Sequence, residues 1–170
     1  MRHRKSGRKL SMDSSERKAM FRNMVTSLLL HGQIKTTEIR AKDLRKYVER
    51  ILSIGKRAPS AADLAALQGD DLQKATARRV AAFRRVAAWV QSDEATAKVM
   101  GEYAERFRSR PGGYTRVVKV GRPRGGDNAS MAVIQLVEPL GGGEAEKPAK
   151  KTRKKAPKAE APATTEAAPG

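Results

Sequence analysis

The chain has 170 residues, with 36 basic and 18 acidic side chains, a formal net charge of +18 and no cysteine. That length suits one domain with tails, and that charge asks for an anionic partner. Without cysteine, disulfides, zinc ribbons and thiol catalysis are excluded.

The first ten residues, MRHRKSGRKL, carry Arg2, Arg4, Lys5, Arg8 and Lys9, with His3 among them and no acid. Only Met1 and Leu10 are sizeable apolar side chains there, too few to form a core, so residues 1–12 read as a basic arm that a polyanion would order. The charge is not confined to the ends: residues 11–140 hold 24 basic against 14 acidic side chains. No apolar run of signal-peptide or membrane-spanning length follows the arm, so the expectation is a cytosolic protein with no membrane partner.

Leu10 to Ser15 offers several helix caps with Glu16 in a first turn, and Met20, Met24, Val25, Leu28 and Leu29 recur at helical spacing. A first helix therefore runs to about Leu30, with His31-Gly32 closing it. Gln33 to Thr37 is short and partly β-branched, a small strand. Thr36 or Thr37 then caps a second helix with Ile39, Leu44, Val48, Ile51 and Leu52 on its apolar face, ended by Gly55 and Pro59. Residues 58–70 read as a connection with a short helical turn from Asp63 to Leu67. A third helix spans about Asp71 to Val90, with Leu72, Val80, Phe83, Ala87 and Val90 on one side. A fourth, capped by Ser92 to Glu94, shows the stripe Val99, Met100, Tyr103 and Phe107 and stops at Pro111-Gly112-Gly113.

Beyond this point the pattern becomes β. Tyr114 to Val120 and Met131 to Val137 flank GRPRGGDNAS, which predicts an antiparallel hairpin. The fold class is α+β: about four helices on a small mixed or antiparallel three-stranded sheet, spanning residues 13–139. Residues 140–170, rich in Lys, Ala, Pro and Glu, read as a disordered tail.

No enzymatic constellation emerges. His3 and His31 have no carboxylate or thiol at metal-ligand spacing, and no phosphate-loop motif precedes a helix. No catalytic residue, metal, cofactor or small-molecule substrate is assigned. Nucleic-acid binding fits the charge better. Aromatics are only 4% of residues and mostly fall on apolar helical faces, which disfavours a base-stacking platform and favours phosphate and shape recognition. Three basic clusters are candidates. The arm supplies Arg2, His3, Arg4, Lys5, Arg8 and Lys9. Lys35, Thr36, Thr37, Arg40, Lys42 and Arg45 surround a helix start, where free N–H groups suit phosphate; an ordinary capped helix with a solvated basic face accounts for them equally well. Arg116, Lys119, Arg122 and Arg124 lie on the hairpin, where arginine can reach phosphate bidentately. A nucleoid-type DNA-binding protein is the alternative, and a basic RNA hydrolase a more distant one that lacks paired catalytic residues.

MRHRKSGRKL, LLLHGQIKTTEIRAKDLR and GGYTRVVKVGRPRGGDNASMAVIQLVE together resemble the seventeenth protein of the bacterial large ribosomal subunit, over roughly residues 1–138. The resemblance implies a non-catalytic α+β domain bound to large-subunit (23S-type) ribosomal RNA, located in the ribosome. It also implies an arm that penetrates RNA, and neighbouring ribosomal proteins near the exit side of the peptide tunnel. Residues 58–70 are longer than the family's usual form and 141–170 lack a counterpart in its short members, so the resemblance implies nothing for either.

Overall fold

The structure, a computed structural model, describes residues 7–137. Arg2, His3, Arg4 and Lys5 of the arm, and the whole predicted tail, lie outside the described residues.

Helix α1 (Ser14–His31) starts at Asp13, whose backbone N–H donates to the Glu16 carboxylate at 3.3 Å. It ends at Gly32, whose φ of 74° is the left-handed turn that glycine adopts without a Cβ penalty and whose N–H donates to the Leu28 carbonyl at 2.8 Å. That turn feeds directly into β1 (Gln33–Thr37), and β1 feeds into α2 (Glu38–Arg57). Two single-turn and two longer helices follow in the order α3 (Ala61–Ala65), α4 (Gly69–Ala87), α5 (Asp93–Met100) and α6 (Glu102–Arg106). The hairpin β2 (Thr115–Val120) and β3 (Met131–Leu136) closes the domain.

The sheet is antiparallel throughout, with β3 between β1 and β2. Ala132 of β3 stands opposite Thr36 on one side and Lys119 on the other. Because strand side chains alternate, this register sends Ala132, Ile134 and Leu136 into the core and leaves Met131, Val133 and Gln135 on the half-covered face. Central α2 is buried along Ala41, Leu44, Val48, Ile51 and Leu52, and it touches α1, α4, α5, α6 and all three strands. The predicted α+β architecture and three-stranded sheet are both present.

Several details differ from the sequence reading. Gly55 does not end α2, which runs on to Arg57. It lies where α5 crosses closely: a Cβ there would stand 2.7 Å from Val99 Cγ1 and 2.8 Å from the Val99 carbonyl oxygen. The predicted fourth helix is broken at Gly101 into α5 and α6, so that Tyr103 can turn inward and donate to the Leu29 carbonyl at 2.8 Å. That bond satisfies one of the carbonyls orphaned at the end of α1. Of the apolar stripe predicted for the third helix, Val90 is buried just past its end, but Leu72, Val80 and Phe83 are exposed, and α4 buries Ala75, Ala82 and Val86 instead. Ile39 is likewise 48% exposed rather than in the core.

The aromatics otherwise serve packing. Tyr47 lies between Phe21, stacked at 4.7 Å, and Trp89 at 5.2 Å, while Phe107 lies between Tyr103 and Tyr114.

Candidate nucleic-acid interface

Helix α2 organises the basic side chains, because its apolar face is fixed in the core and its polar residues are divided between two flanks. On one flank, every fourth or third residue (Glu38, Lys42, Arg45, Glu49) runs beside the hairpin. Glu38 receives Lys42 at 2.6 Å and, from β2, Lys119 at 3.0 Å. The hydrogen bonds from Lys42 and Lys119 hold the Glu38 carboxyl below its ordinary range. Three turns on, Glu49 accepts from Arg45 at 3.4 Å and from the Thr115 hydroxyl at 3.1 Å. Lys42 and Arg45 of the second cluster are therefore tied to β2 through two carboxylates, and Lys42 meets Lys119 of the third cluster at one of them. The backbone joins them as well, since the Glu38 N–H donates to the Ser130 carbonyl at 2.9 Å.

The loop between β2 and β3 is held in shape by its own ion pair. Arg124 donates through Nε to Asp127 Oδ1 at 3.0 Å and through its second nitrogen to the other oxygen. These bonds hold the Asp127 carboxyl down at about 2. Arg124 is thus committed to a carboxylate, whereas Arg116, Arg122 and Lys35 are exposed without an ion pair among the described residues. Lys35 and Arg116 share the open face of the sheet: Lys35 pairs with Val133 and Arg116 with Gln135, both on the half-covered side of β3. Thr37 occupies the cap position of α2, but its side chain makes no capping bond, and Thr36 and Thr37 are half-buried.

The other flank of α2 faces the base of the arm. Arg8 and Lys9 meet Arg17 of α1 and Lys46 and Arg50 of α2 around one concavity, with the Arg17 guanidinium donating to the Lys9 carbonyl at 3.3 Å. A second hollow joins Arg8 and Lys9 to Ile39 in the first turn of α2, next to Arg40. Arg17, Lys46 and Arg50 were missed as site residues by sequence reasoning. The signal was present, since 46 and 50 are one helical turn apart on the wheel, but only the tertiary contact brings them to the arm.

Elsewhere the chain secures its long connection: Asp63 caps α3 through the Ser60 N–H at 3.0 Å and receives Arg108 at 3.1 Å. The Ser60 backbone bond, then Arg108, holds the Asp63 carboxyl down at about 2. Among the described residues no three His, Cys, Asp or Glu side chains gather as a metal site, and no helix is long and apolar enough to cross a membrane.

Basic side chains along both flanks of α2 and on the hairpin are the charge pattern that suits a polyanion. The family model of Ribosomal protein L17 matches residues 20–137, and the chain belongs to that family. It is 44% identical to Large ribosomal subunit protein bL17 of Syntrophus aciditrophicus over 142 residues, covering 84% of this chain and 97% of the relative. Against the protein of the same name from Desulfotalea psychrophila it is 46% identical over 137 residues, covering 81% and 90%.

Proposed function

We propose that this chain is a structural constituent of the large ribosomal subunit. It binds large-subunit ribosomal RNA through phosphate and shape contacts and supports subunit assembly, with neighbouring large-subunit proteins on the tunnel-exit side as further partners. The observation that carries this reading is the spread of basic side chains over the arm base, both flanks of α2 and the hairpin. Such a spread rather than a point charge matches a polyanion, whose released counterions supply affinity in proportion to the contacts made. Phe83, on α4 and 43% exposed, is the one exposed aromatic among the described residues, which supports backbone recognition over base stacking on the sheet.

The test is sedimentation of the tagged full chain from a lysate. Co-sedimentation with the large subunit through high salt is the expected result, and deleting residues 2–9 weakens binding to large-subunit RNA and flattens its salt dependence. Partition into the DNA fraction after RNase treatment overturns the reading.

A further inference from the structure

The geometry points to a pocket for one extruded guanosine of the RNA in the concavity between the arm base, α1 and α2, with its phosphate on the surrounding cations and its base edge on Asp43. This rests on the RNA-binding reading above and gives that surface a base-specific contact.

The concavity measures about 490 Å³, within the roughly 300–1,000 Å³ range of small-ligand sites. Its cations Arg8, Lys9, Arg17, Lys46 and Arg50 take part in no ion pair among the described residues, in contrast to the hairpin flank. In their midst stands one carboxylate, Asp43, whose Oδ2 is buried without a hydrogen-bond partner. An orphaned buried acceptor is costly and calls for a donor. The Phe21–Tyr47 stack forms an apolar wall of the same cavity.

These parts select a nucleotide over a bare phosphate. A carboxylate inside a phosphate site repels the ligand unless the ligand also brings hydrogen-bond donors. A nucleotide does both, placing its phosphate on the arginines and lysines and its base edge on the acid. Among the bases, guanine alone presents two adjacent N–H donors, N1 and N2, on its Watson–Crick edge. Adenine, cytosine and uracil each set an acceptor beside the donor, which places a lone pair against a carboxylate oxygen. The terminal torsion of aspartate is soft, so Asp43 can present both oxygens to the pair.

The test uses the full chain and short RNA hairpins carrying a single bulged guanosine, inosine or uridine, read by fluorescence anisotropy. The bulged guanosine binds about ten-fold tighter than uridine, the scale of one bidentate base contact. Inosine, which lacks the N2 amino group, loses most of that advantage with the protein untouched. Asp43→Asn removes the guanosine preference, bringing the guanosine and uridine hairpins to the same affinity. Equal binding of the three hairpins, or a guanosine preference that survives Asp43→Asn, overturns the proposal. If the chain binds large-subunit RNA but none of the hairpins, the pocket fails and the RNA-binding reading stands; if it fails to bind large-subunit RNA, the broader reading falls first.

Discussion

The two flanks of α2 carry similar numbers of basic side chains and use them differently. Beside the hairpin, Lys42, Arg45, Lys119 and Arg124 are all bonded to carboxylates, and Glu38 and Glu49 tie α2 to β2. Beside the arm, five cations surround the single acid Asp43, and none is ion-paired among the described residues. A cation already held by a carboxylate has a neutral pair to offer and must exchange partners to bind phosphate. An uncompensated one binds phosphate and releases counterions in full. On the proposed RNA-binding reading, charge compensation rather than charge count would locate the binding energy. The paired cations beside the hairpin would serve mainly shape. The five cations at the arm base, unpaired among the described residues, would be the main source of affinity, with Lys35, Arg116 and Arg122 adding to it from the sheet and hairpin.

The largest departure from this comparison comes from removing arm-flank charge. The combined change Arg8→Ala, Lys9→Ala, Lys46→Ala and Arg50→Ala lowers affinity for large-subunit RNA by about 10²-fold or more at moderate salt, if each residue holds one phosphate. Filter binding measures it, and a thermal melt confirms that these exposed changes leave the fold intact.

Next in size is a change that spares both flanks but loosens the helix they share. Gly55→Ala drives a methyl against Val99 in the α2–α5 crossing and destabilises the domain by about 1–3 kcal/mol, read by urea unfolding. RNA affinity of the folded fraction stays as it was, which separates the scaffold from its charged surfaces.

A smaller effect, of opposite sign, is expected from Glu38→Gln. It frees Lys42 and Lys119 from their shared carboxylate, so RNA affinity rises and its salt dependence steepens. Unchanged affinity in the same titration would mean that the hairpin flank does not touch RNA.

The smallest is a local response to acid. Asp127 has its carboxyl lowered from 3.8 to about 2 by Arg124, so the folded loop is stabilised above its ordinary value and loses that support as pH falls toward 2. Glu38 is also lowered, which gives the same sign at the α2–β2 junction. Amide resonances of residues 124–129 shift together in that acid window, and Asp127→Asn abolishes the response. Above the ordinary carboxylate range the loop is insensitive to pH.

Much of this molecule was legible in its sequence. The run of caps, periodic apolar residues and Gly/Pro stops predicts α1, α2, α4 and the hairpin, because those elements follow local preference. What escaped was decided by neighbours. On α4 two stripes compete, and periodicity favours the bulkier one, Leu72, Val80 and Phe83. The structure buries Ala75, Ala82 and Val86, since a helix laid closely on α2 needs small side chains at the crossing. Gly55 looks like a terminator in sequence and proves to be a close-approach residue, information that resides in Val99 on another helix. Gly101 divides a continuous apolar stripe because Tyr103 has a carbonyl to reach on α1.

The same division holds for the interface. Composition and spacing identified the basic clusters; Lys42 and Lys119 do meet at Glu38, whereas Lys35 and Arg116 lie on the open face of the sheet, away from α2. The local pairs Glu38–Lys42, Arg45–Glu49 and Arg124–Asp127 follow ordinary spacing, but the links of Lys119 to Glu38 and of Thr115 to Glu49 could not be read, because they join elements far apart in the chain. Asp43 was invisible for the same reason: its isolation among cations exists only once the arm base folds against α2.

The central claim is that compensation, not charge, ranks the two flanks. Two variants with four charges removed from each test it directly: Arg8, Lys9, Lys46 and Arg50 to alanine on one, and Lys42, Arg45, Lys119 and Arg124 to alanine on the other. The measurement is the slope of log affinity for large-subunit RNA against log salt. The arm-flank variant loses about 0.7–0.9 from the slope per residue removed, and the hairpin-flank variant loses far less. Equal losses, or a larger loss from the hairpin flank, contradict the account.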